Sequence, residues 1–251
     1  MPIKMIVTDL DGTLLRDDKT ISERTLAVLK RCRARGIKVA YATGRGSTDL
    51  ALAPPELFDG RVRCNGAEAY IGKTLVYDRL IPISNMFPLL IAADGAGVEI
   101  AAEVEGVHYA NFNVTAKWPW IPHYRNVNEV TDDFKAQKIY AVAERSEVAE
   151  LIKKRLPPGF YLSVSRDGLA MVMHDGAIKS RAVTALAESW GIDPAEIVAF
   201  GDDANDVDLL QFAGTGVAMG NAIDDVKAAA DCVCDTNESD GVAKWIEENV
   251  L

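Results

Sequence analysis

The chain has 251 residues, of which 49% are hydrophobic and 25% are charged, a balance typical of a globular protein with a substantial core. Its formal net charge of −10 argues against nucleic acid as the main partner, because binding to a phosphate backbone depends on basic surface. No apolar run has the length of a membrane span, and the first residues lack the pattern of a signal peptide. We therefore expect a cytoplasmic protein that binds neither nucleic acid nor membrane. The sequence carries no signal for an oligomeric state.

An apolar stretch near the N-terminus predicts a buried parallel strand that ends in Asp9 and Asp11 and is stopped by Gly12. Side chains alternate along a strand, so Leu10 points away from the two aspartates, which lie where open α/β sheets bind ligands. Neighbouring carboxylates repel each other unless a cation, a shared proton or solvent lies between them. A divalent cation with oxygen ligands resolves the repulsion, and Mg²⁺ is the natural candidate. The alternative is an ordinary polar turn, for which Asp-Gly is also common.

A strand–helix–strand unit follows, with a helix ended by Gly36 and a second parallel strand over residues 37–42. This strand runs into Thr43, Gly44 and Arg45, which we expect at the same edge of the sheet as the two aspartates. The hydroxyl and the adjacent backbone N–H groups can hold a phosphate oxygen, and the guanidinium can bind a phosphate or a carboxylate. Thr43 as a plain helix cap is the alternative.

The middle of the chain changes character, because hairpins and helices replace the alternation of strand and helix. This pattern predicts a separate α+β insert. We place the core domain at residues 1–82 and 172–251 and the insert at residues 83–171. Hairpin turns are predicted at Gly72-Lys73, where the hairpin would cover the site, at Glu105-Gly106 and at Asp167-Gly168.

The first pattern then returns. Lys179 precedes a helix that closes near Gly191, and residues 197–200 predict another buried strand. That strand ends in a second acidic cluster, which contains Asp202, Asp203, Asn205 and Asp206. Asn205 either contacts a substrate or braces this loop. For Lys179, the alternative to a role in the site is a solvated surface lysine.

Four elements in this order resemble the haloacid dehalogenase superfamily of phosphohydrolases. They are Asp9-Leu10-Asp11-Gly12-Thr13-Leu14, Thr43-Gly44-Arg45, Lys179, and Gly201-Asp202-Asp203-Ala204-Asn205-Asp206. An α+β insert between the second and third elements is similar to the type IIB cap of the Cof-like branch. The resemblance implies an α/β fold with a doubly wound, Rossmann-like parallel sheet that carries an inserted α+β cap domain. Asp203 departs from the pattern, because the family often has a small residue there.

The resemblance also implies a mechanism. Asp9 is the implied nucleophile, which forms an aspartyl-phosphate, and Asp11 is the implied general acid and base. The residues implied to bind the substrate and its phosphoryl group are Thr43, Gly44, Arg45, Lys179 and Asn205. The implied ligands of Mg²⁺ are the Asp9 carboxylate, the Asp11 backbone carbonyl, Asp202, and Asp206 either directly or through water.

We therefore expect an Mg²⁺-dependent phosphatase acting on a small phosphorylated metabolite, such as a sugar phosphate or a phosphoglycolate-like compound. One alternative is a sugar phosphomutase that uses the same nucleophile, and its product would be an isomerised sugar phosphate instead of inorganic phosphate. The other is a non-catalytic binding or regulatory module on the same scaffold. Ligand binding without metal and without turnover would indicate that module.

Overall fold

The computed structural model describes residues 2–121, 123–143, 146–165 and 168–251. The chain divides into one unit of Met1–Asp78 and Ile178–Leu251 and a second unit of Arg79–Ala177. These boundaries differ from those placed at residues 82/83 and 171/172. Ile81 pairs with Ala136, a partner inside the second unit, and the strand that contains residue 172 also belongs to that unit's sheet.

Strands and α-helices are numbered in chain order. The strands are β1 (Met5–Thr8), β2 (Lys38–Ala42), β3 (Gly60–Arg63), β4 (Glu68–Ile71), β5 (Thr74–Asp78), β6 (Ile81–Pro82), β7 (Ile100–Val104), β8 (Val107–Ala110), β9 (Tyr124–Asn126), β10 (Lys135–Ala136), β11 (Lys138–Val142), β12 (Phe160–Val164), β13 (Leu169–His174), β14 (Ile197–Gly201), β15 (Thr215–Ala218) and β16 (Cys232–Val233). The helices are α1 (Glu23–Ala34), α2 (Phe87–Gly95), α3 (Val114–Lys117), α4 (Ser146–Lys153), α5 (Lys179–Trp190), α6 (Val207–Phe212), α7 (Asp224–Ala229) and α8 (Gly241–Asn249).

The sheet of the first unit has the order β16-β15-β14-β1-β2-β3-β4-β5 and is parallel from β16 to β3. Thr8 on β1 is in register with Phe200 on β14 and with Tyr41 on β2. The loops that follow these three strands therefore start at the same edge of the sheet. β4 and β5 pair antiparallel beyond β3, so the hairpin expected to cover the site instead extends the main sheet.

The strands and helices of the first unit follow from which residues are buried and which residues cap the helices. β1 and β14 are buried along their whole length, as expected for central strands of a parallel sheet that is covered on both faces. Ser22 caps the N-terminus of α1, because its side chain accepts a hydrogen bond from the Thr25 N–H, and Gly191 caps the C-terminus of α5 in the left-handed conformation. α1 packs against α8, and α5 packs against α6. The expected α/β fold built on a parallel sheet is confirmed.

The second unit is an α+β structure with its own core. Its larger sheet has the order β12-β13-β11-β7-β8-β9 and is antiparallel except where β8 meets β9. Glu105 and Gly106 both take positive φ angles between β7 and β8, which is the turn expected there. β12 and β13 form the last expected hairpin, but Asp167 of its turn lies outside the described residues. No helix in the described part of the chain combines the length and apolar character needed to cross a bilayer.

The first unit offers a matched test of core packing. Leu29 on α1 is 0% exposed, whereas Leu75 on β5 is 44% exposed. We expect Leu29→Ala to lower the free energy of unfolding by about 2–5 kcal/mol, because it removes a buried side chain and leaves a cavity. Leu75→Ala should change it by no more than about 0.5 kcal/mol. Urea unfolding followed by circular dichroism measures both, and similar losses would contradict the assigned core.

Candidate active site

The loop after β1 is fitted closely to the loop after β14. Gly12 has a φ of +77°, and a Cβ placed there would lie 2.4 Å from Oδ2 of Asp202. Thr13 donates its hydroxyl proton to Oδ1 of Asp202 over 2.8 Å. Glycine therefore allows the Asp202 carboxylate to approach the first loop, and Thr13 fixes the orientation of that carboxylate.

The second acidic loop is held by its own carboxylates. Oδ2 of Asp206 accepts hydrogen bonds from the backbone N–H groups of Asp202 and Asp203 at 3.0 and 3.1 Å. Oδ1 of Asp203 accepts from the N–H of Ala204 at 2.8 Å and caps the turn that follows. Asp203, the residue that departs from the family pattern, thus has a local structural contact, and Asp206 is fully buried under the loop.

Lys179 joins the two acidic loops. It is 1% exposed, and its Nζ lies 2.7 Å from Oδ1 of Asp9 and 2.5 Å from Oδ1 of Asp206. The alternative of a solvated surface lysine is therefore wrong. Burial alone lowers the pKa of Lys179, but the two carboxylates outweigh it and raise the pKa, so the side chain stays charged.

The buried cluster contains more negative than positive charge. Carboxylate oxygens of Asp9, Asp202 and Asp206 lie within 4.8 Å of one another. When all three carboxylates are ionised, the ammonium of Lys179 compensates one of them and leaves two negative charges. Burial raises the pKa of Asp9 well above its usual value and raises the pKa of Asp202 to about 6, and the neighbouring Asp206 adds to both shifts. Such a set of oxygen ligands suits a hard divalent cation, whose charge matches the excess.

Asp11 lies in a different environment from Asp9. Arg45 donates from Nε to Oδ2 of Asp11 over 2.5 Å and from Nη2 to Oδ1 over 2.7 Å, and Nζ of Lys19 lies 2.8 Å from Oδ1. The partial burial of Asp11 raises its pKa, but the hydrogen bonds and charges of Arg45 and Lys19 outweigh burial and lower the pKa. Arg45 was predicted to bind a phosphate or a carboxylate, and in the structure it binds the carboxylate of Asp11. The contact of Lys19 with Asp11 was not predicted from the sequence. The sequence shows only that a lysine lies in the polar loop after Asp11.

Asn65, which follows β3, links the loop after β2 to the second acidic loop. Thr43 is 1% exposed, and its Oγ1 accepts the backbone N–H of Arg45 at 3.1 Å. The next helical turn begins only at residue 49, so the helix-cap alternative for Thr43 is wrong. Asn205 donates from Nδ2 to Oδ1 of Asn65 over 2.8 Å. Of the two roles predicted for Asn205, substrate contact and bracing of the loop, this contact is the bracing one. Gly44 lies beside the same amide, because a Cβ on it would be 3.0 Å from Oδ1 of Asn65.

Two glycines with similar backbone angles test the fit between the acidic loops. Gly12 has a φ of +77° and faces Asp202, whereas Gly36 has a φ of +81°. Apart from Gly36 and its two chain neighbours, no described residue has an atom within 4 Å of the position that a Cβ on Gly36 would occupy. Each change to alanine should cost about 1–2 kcal/mol of backbone strain. Gly12→Ala should cost at least about 1 kcal/mol more, because its Cβ also displaces the Asp202 carboxylate. Urea unfolding measures both, and equal losses would show that this carboxylate moves aside freely.

The raised pKa of Asp202 predicts a pH effect on the metal-free protein. The ordinary pKa of this carboxyl is 3.8 and its pKa in the fold is about 6, so the folded chain binds more protons between these values. Asp202 should therefore contribute a fall in the free energy of unfolding on the order of 2–3 kcal/mol as the pH rises through this window. Asp202→Asn should flatten the fall, because the amide stays neutral and its oxygen can still accept from Thr13. Urea unfolding with a chelator checks this, and identical slopes in the two proteins would contradict it.

Comparisons with known proteins identify the family of the chain. Residues 6–246 match the family model of haloacid dehalogenase-like hydrolases. A 5-amino-6-(5-phospho-D-ribitylamino)uracil phosphatase of Bacillus subtilis is 32% identical, over 97% of this chain and 96% of its own. The pyridoxal phosphate phosphatase of Escherichia coli is 28% identical over 100% of both chains. The solved structure of a sugar phosphatase of HAD subclass IIB is 26% identical, with a TM-score of 0.84 over 98% of each chain.

The family match extends over nearly the whole chain, both units included. The relatives that share this length are named phosphatases, and the subclass IIB structure agrees with the branch predicted from the sequence motifs. The predicted family and enzyme class are thereby confirmed. The chain belongs to the haloacid dehalogenase-like hydrolase family and is a phosphoric monoester hydrolase.

Proposed function

We propose that this protein is an Mg²⁺-dependent phosphatase that hydrolyses a small phosphorylated metabolite through an aspartyl-phosphate on Asp9. The observation that carries the proposal is the buried pair of Asp9 and Lys179 beside Asp202 and Asp206. The relatives are named for pyridoxal phosphate, a ribitylaminouracil phosphate and sugar phosphates, which are all monoesters of small molecules. The second unit is, in this proposal, the cap that a type IIB phosphatase carries.

The chemistry of the donor set supports Mg²⁺. The carboxylates of Asp9 and Asp202, together with the backbone carbonyl of Asp11, would hold the ion. Asp206 would act through water, because its oxygens already accept from Lys179 and from two backbone N–H groups. Bound Mg²⁺ supplies charge that offsets the two excess negative charges and polarises the phosphoryl oxygens.

The proposed reaction has two half-reactions. In the first, a carboxylate oxygen of Asp9 bonds to phosphorus while the ester P–O bond breaks, and Asp11, which reacts here in its protonated form, gives its proton to the leaving oxygen. In the second, Asp11 accepts a proton from a water molecule, and that water's oxygen bonds to phosphorus as the bond to Asp9 breaks. The products are the alcohol and inorganic phosphate, and both aspartates return to their starting states.

Cationic and hydroxyl groups would hold the phosphoryl group between these steps. Lys179 keeps its charge because two carboxylates contact it, so it can offset the developing negative charge. The Thr43 oxygen accepts the N–H of Arg45, which leaves its hydroxyl proton to donate to a phosphate oxygen. Phosphoryl transfer depends mainly on such positioning and charge neutralisation.

Asp9→Asn tests the nucleophile. The amide cannot form the aspartyl-phosphate, so release of inorganic phosphate from p-nitrophenyl phosphate should fall at least about 10³-fold. The thermal midpoint should not fall, because the change removes one of three buried carboxylates while Lys179 keeps Asp206. Asp225→Asn, at an exposed position on α7, is the matched control and should keep wild-type turnover.

Unchanged turnover by Asp9→Asn would defeat the proposed mechanism. The metal is tested separately by removing it with a chelator and adding Mg²⁺ back, which should abolish and then restore phosphate release. A sugar phosphate that is isomerised without release of phosphate would identify a phosphomutase instead.

A further inference from the structure

The turn after β3, residues 64–66, has a left-handed backbone. Cys64, Asn65 and Gly66 have φ angles of +47°, +54° and +99°, and no other three consecutive residues in the described part of the chain all have positive φ. Residues other than glycine rarely adopt such angles, because their Cβ comes too close to a backbone carbonyl. Strained backbone persists where the surrounding structure fixes it, and it is concentrated at functional sites. The contacts of this left-handed turn therefore indicate its role.

The first contact of the left-handed turn is with the loop after β2. The N–H of Cys64 donates to the carbonyl of Arg45, and the N–H of Asn65 donates to the carbonyl of Thr43, each over 2.9 Å. These two hydrogen bonds hold the residues on either side of Gly44. The turn thereby fixes the backbone that carries the Thr43 hydroxyl.

The second contact is with the second acidic loop. Asn65 is 4% exposed, and its Oδ1 accepts a hydrogen bond from Nδ2 of Asn205 over 2.8 Å. The residue after Asn205 is Asp206, whose carboxylate lies 2.5 Å from Nζ of Lys179. The side chain of Asn65 therefore braces the loop that holds the buried ammonium.

The third contact is with the start of α5. A Cβ on Gly66 would collide with the carbonyl group of Ile178 and would lie 2.7 Å from its backbone nitrogen. Glycine therefore allows the turn to touch the backbone of Ile178, and the next residue, Lys179, is the first of α5. The left-handed turn thus contacts the three segments that carry Thr43, Asn205 and Lys179.

We propose that the left-handed turn sets the spacing between the Thr43 hydroxyl and the Lys179 ammonium, with Asn65 as its positioning residue. The inference rests on the proposed function, in which these two groups hold the phosphoryl group. The backbone N–H of Asn65 binds one segment and its side chain binds another, so one residue joins loops that follow two different strands. Phosphoryl transfer depends on the placement of such groups, and small displacements reduce its rate.

Asn65→Gly tests the side-chain link, because glycine adopts positive φ and keeps the backbone N–H. In the presence of Mg²⁺, kcat for p-nitrophenyl phosphate should fall about tenfold or more. Inorganic phosphate binds the same groups as a competitive inhibitor, so its inhibition constant should rise at least about threefold. This constant does not depend on the fraction of the protein that is folded. A variant that is merely less stable would therefore keep the wild-type value.

A double-mutant cycle tests whether Asn65 acts through Asn205. In an Asn205→Ala background, Asn65→Gly should lower kcat by less than about twofold, because the amide that Asn65 braces is already absent. A tenfold loss that persists in this background would overturn the link. Unchanged kcat and an unchanged inhibition constant in Asn65→Gly alone would overturn the proposal.

Two glycines at opposite ends of α5 provide a matched comparison. Gly66 and Gly191 both have positive φ, but a Cβ on Gly191 would meet no described residue within 4 Å apart from its chain neighbours and its own helix. Alanine strains the backbone at both positions. Gly66→Ala should also lower kcat and raise the inhibition constant of phosphate, because it displaces the residue before Lys179. Gly191→Ala should keep both constants, and equal effects of the two changes would overturn the proposal.

Asp9→Asn, measured in the same assay, distinguishes this inference from the proposed function. If Asp9→Asn keeps wild-type turnover, the proposed mechanism fails. If Asp9→Asn loses turnover while Asn65→Gly keeps the wild-type kcat and inhibition constant, only the inference about the left-handed turn fails.

Discussion

The buried ammonium of Lys179 is the interaction on which the rest of the site depends. It lies between Asp9 and Asp206, from loops at opposite ends of the sequence, and it is 1% exposed. Without it, three carboxylates would be buried together and the fold would keep them neutral or expel them. With it, the parallel strands β1 and β14 can end side by side in acidic loops. The negative charge that remains on the carboxylates suits one divalent cation.

Asp9 and Asp11 show how environment separates two chemically identical groups. Asp9 is enclosed, burial raises its pKa, and its contact is with Lys179. Asp11 faces outward, where Arg45 and Lys19 lower its pKa. A negative cluster for a metal thus lies next in sequence to a carboxyl group held by two cations. The ionised form of Asp11 is the one that accepts a proton from water in the second half-reaction of the proposed mechanism.

Local patterns predicted most of the elements. Continuous apolar runs indicated β1 and β14, and cap and stop residues indicated α1 and α5, because these signals act within a few residues. Pairing between distant segments was less accessible. The hairpin of β4 and β5 was predicted, but its place as an extension of the main sheet depends on β3 as a partner. The unit boundaries likewise depend on pairing partners that are remote in sequence.

The sequence by itself determined the chemical groups of the site and the strand ends that carry them, and it determined the family through four spaced motifs. Only the tertiary structure decided which of those groups meet. It buried Lys179 between two carboxylates, joined Asn205 to Asn65, and brought Lys19 to Asp11. The physical reason is that strand and turn signals are short-range, whereas an ion pair depends on where the packed sheet and its loops bring remote side chains, and on how far they are removed from water.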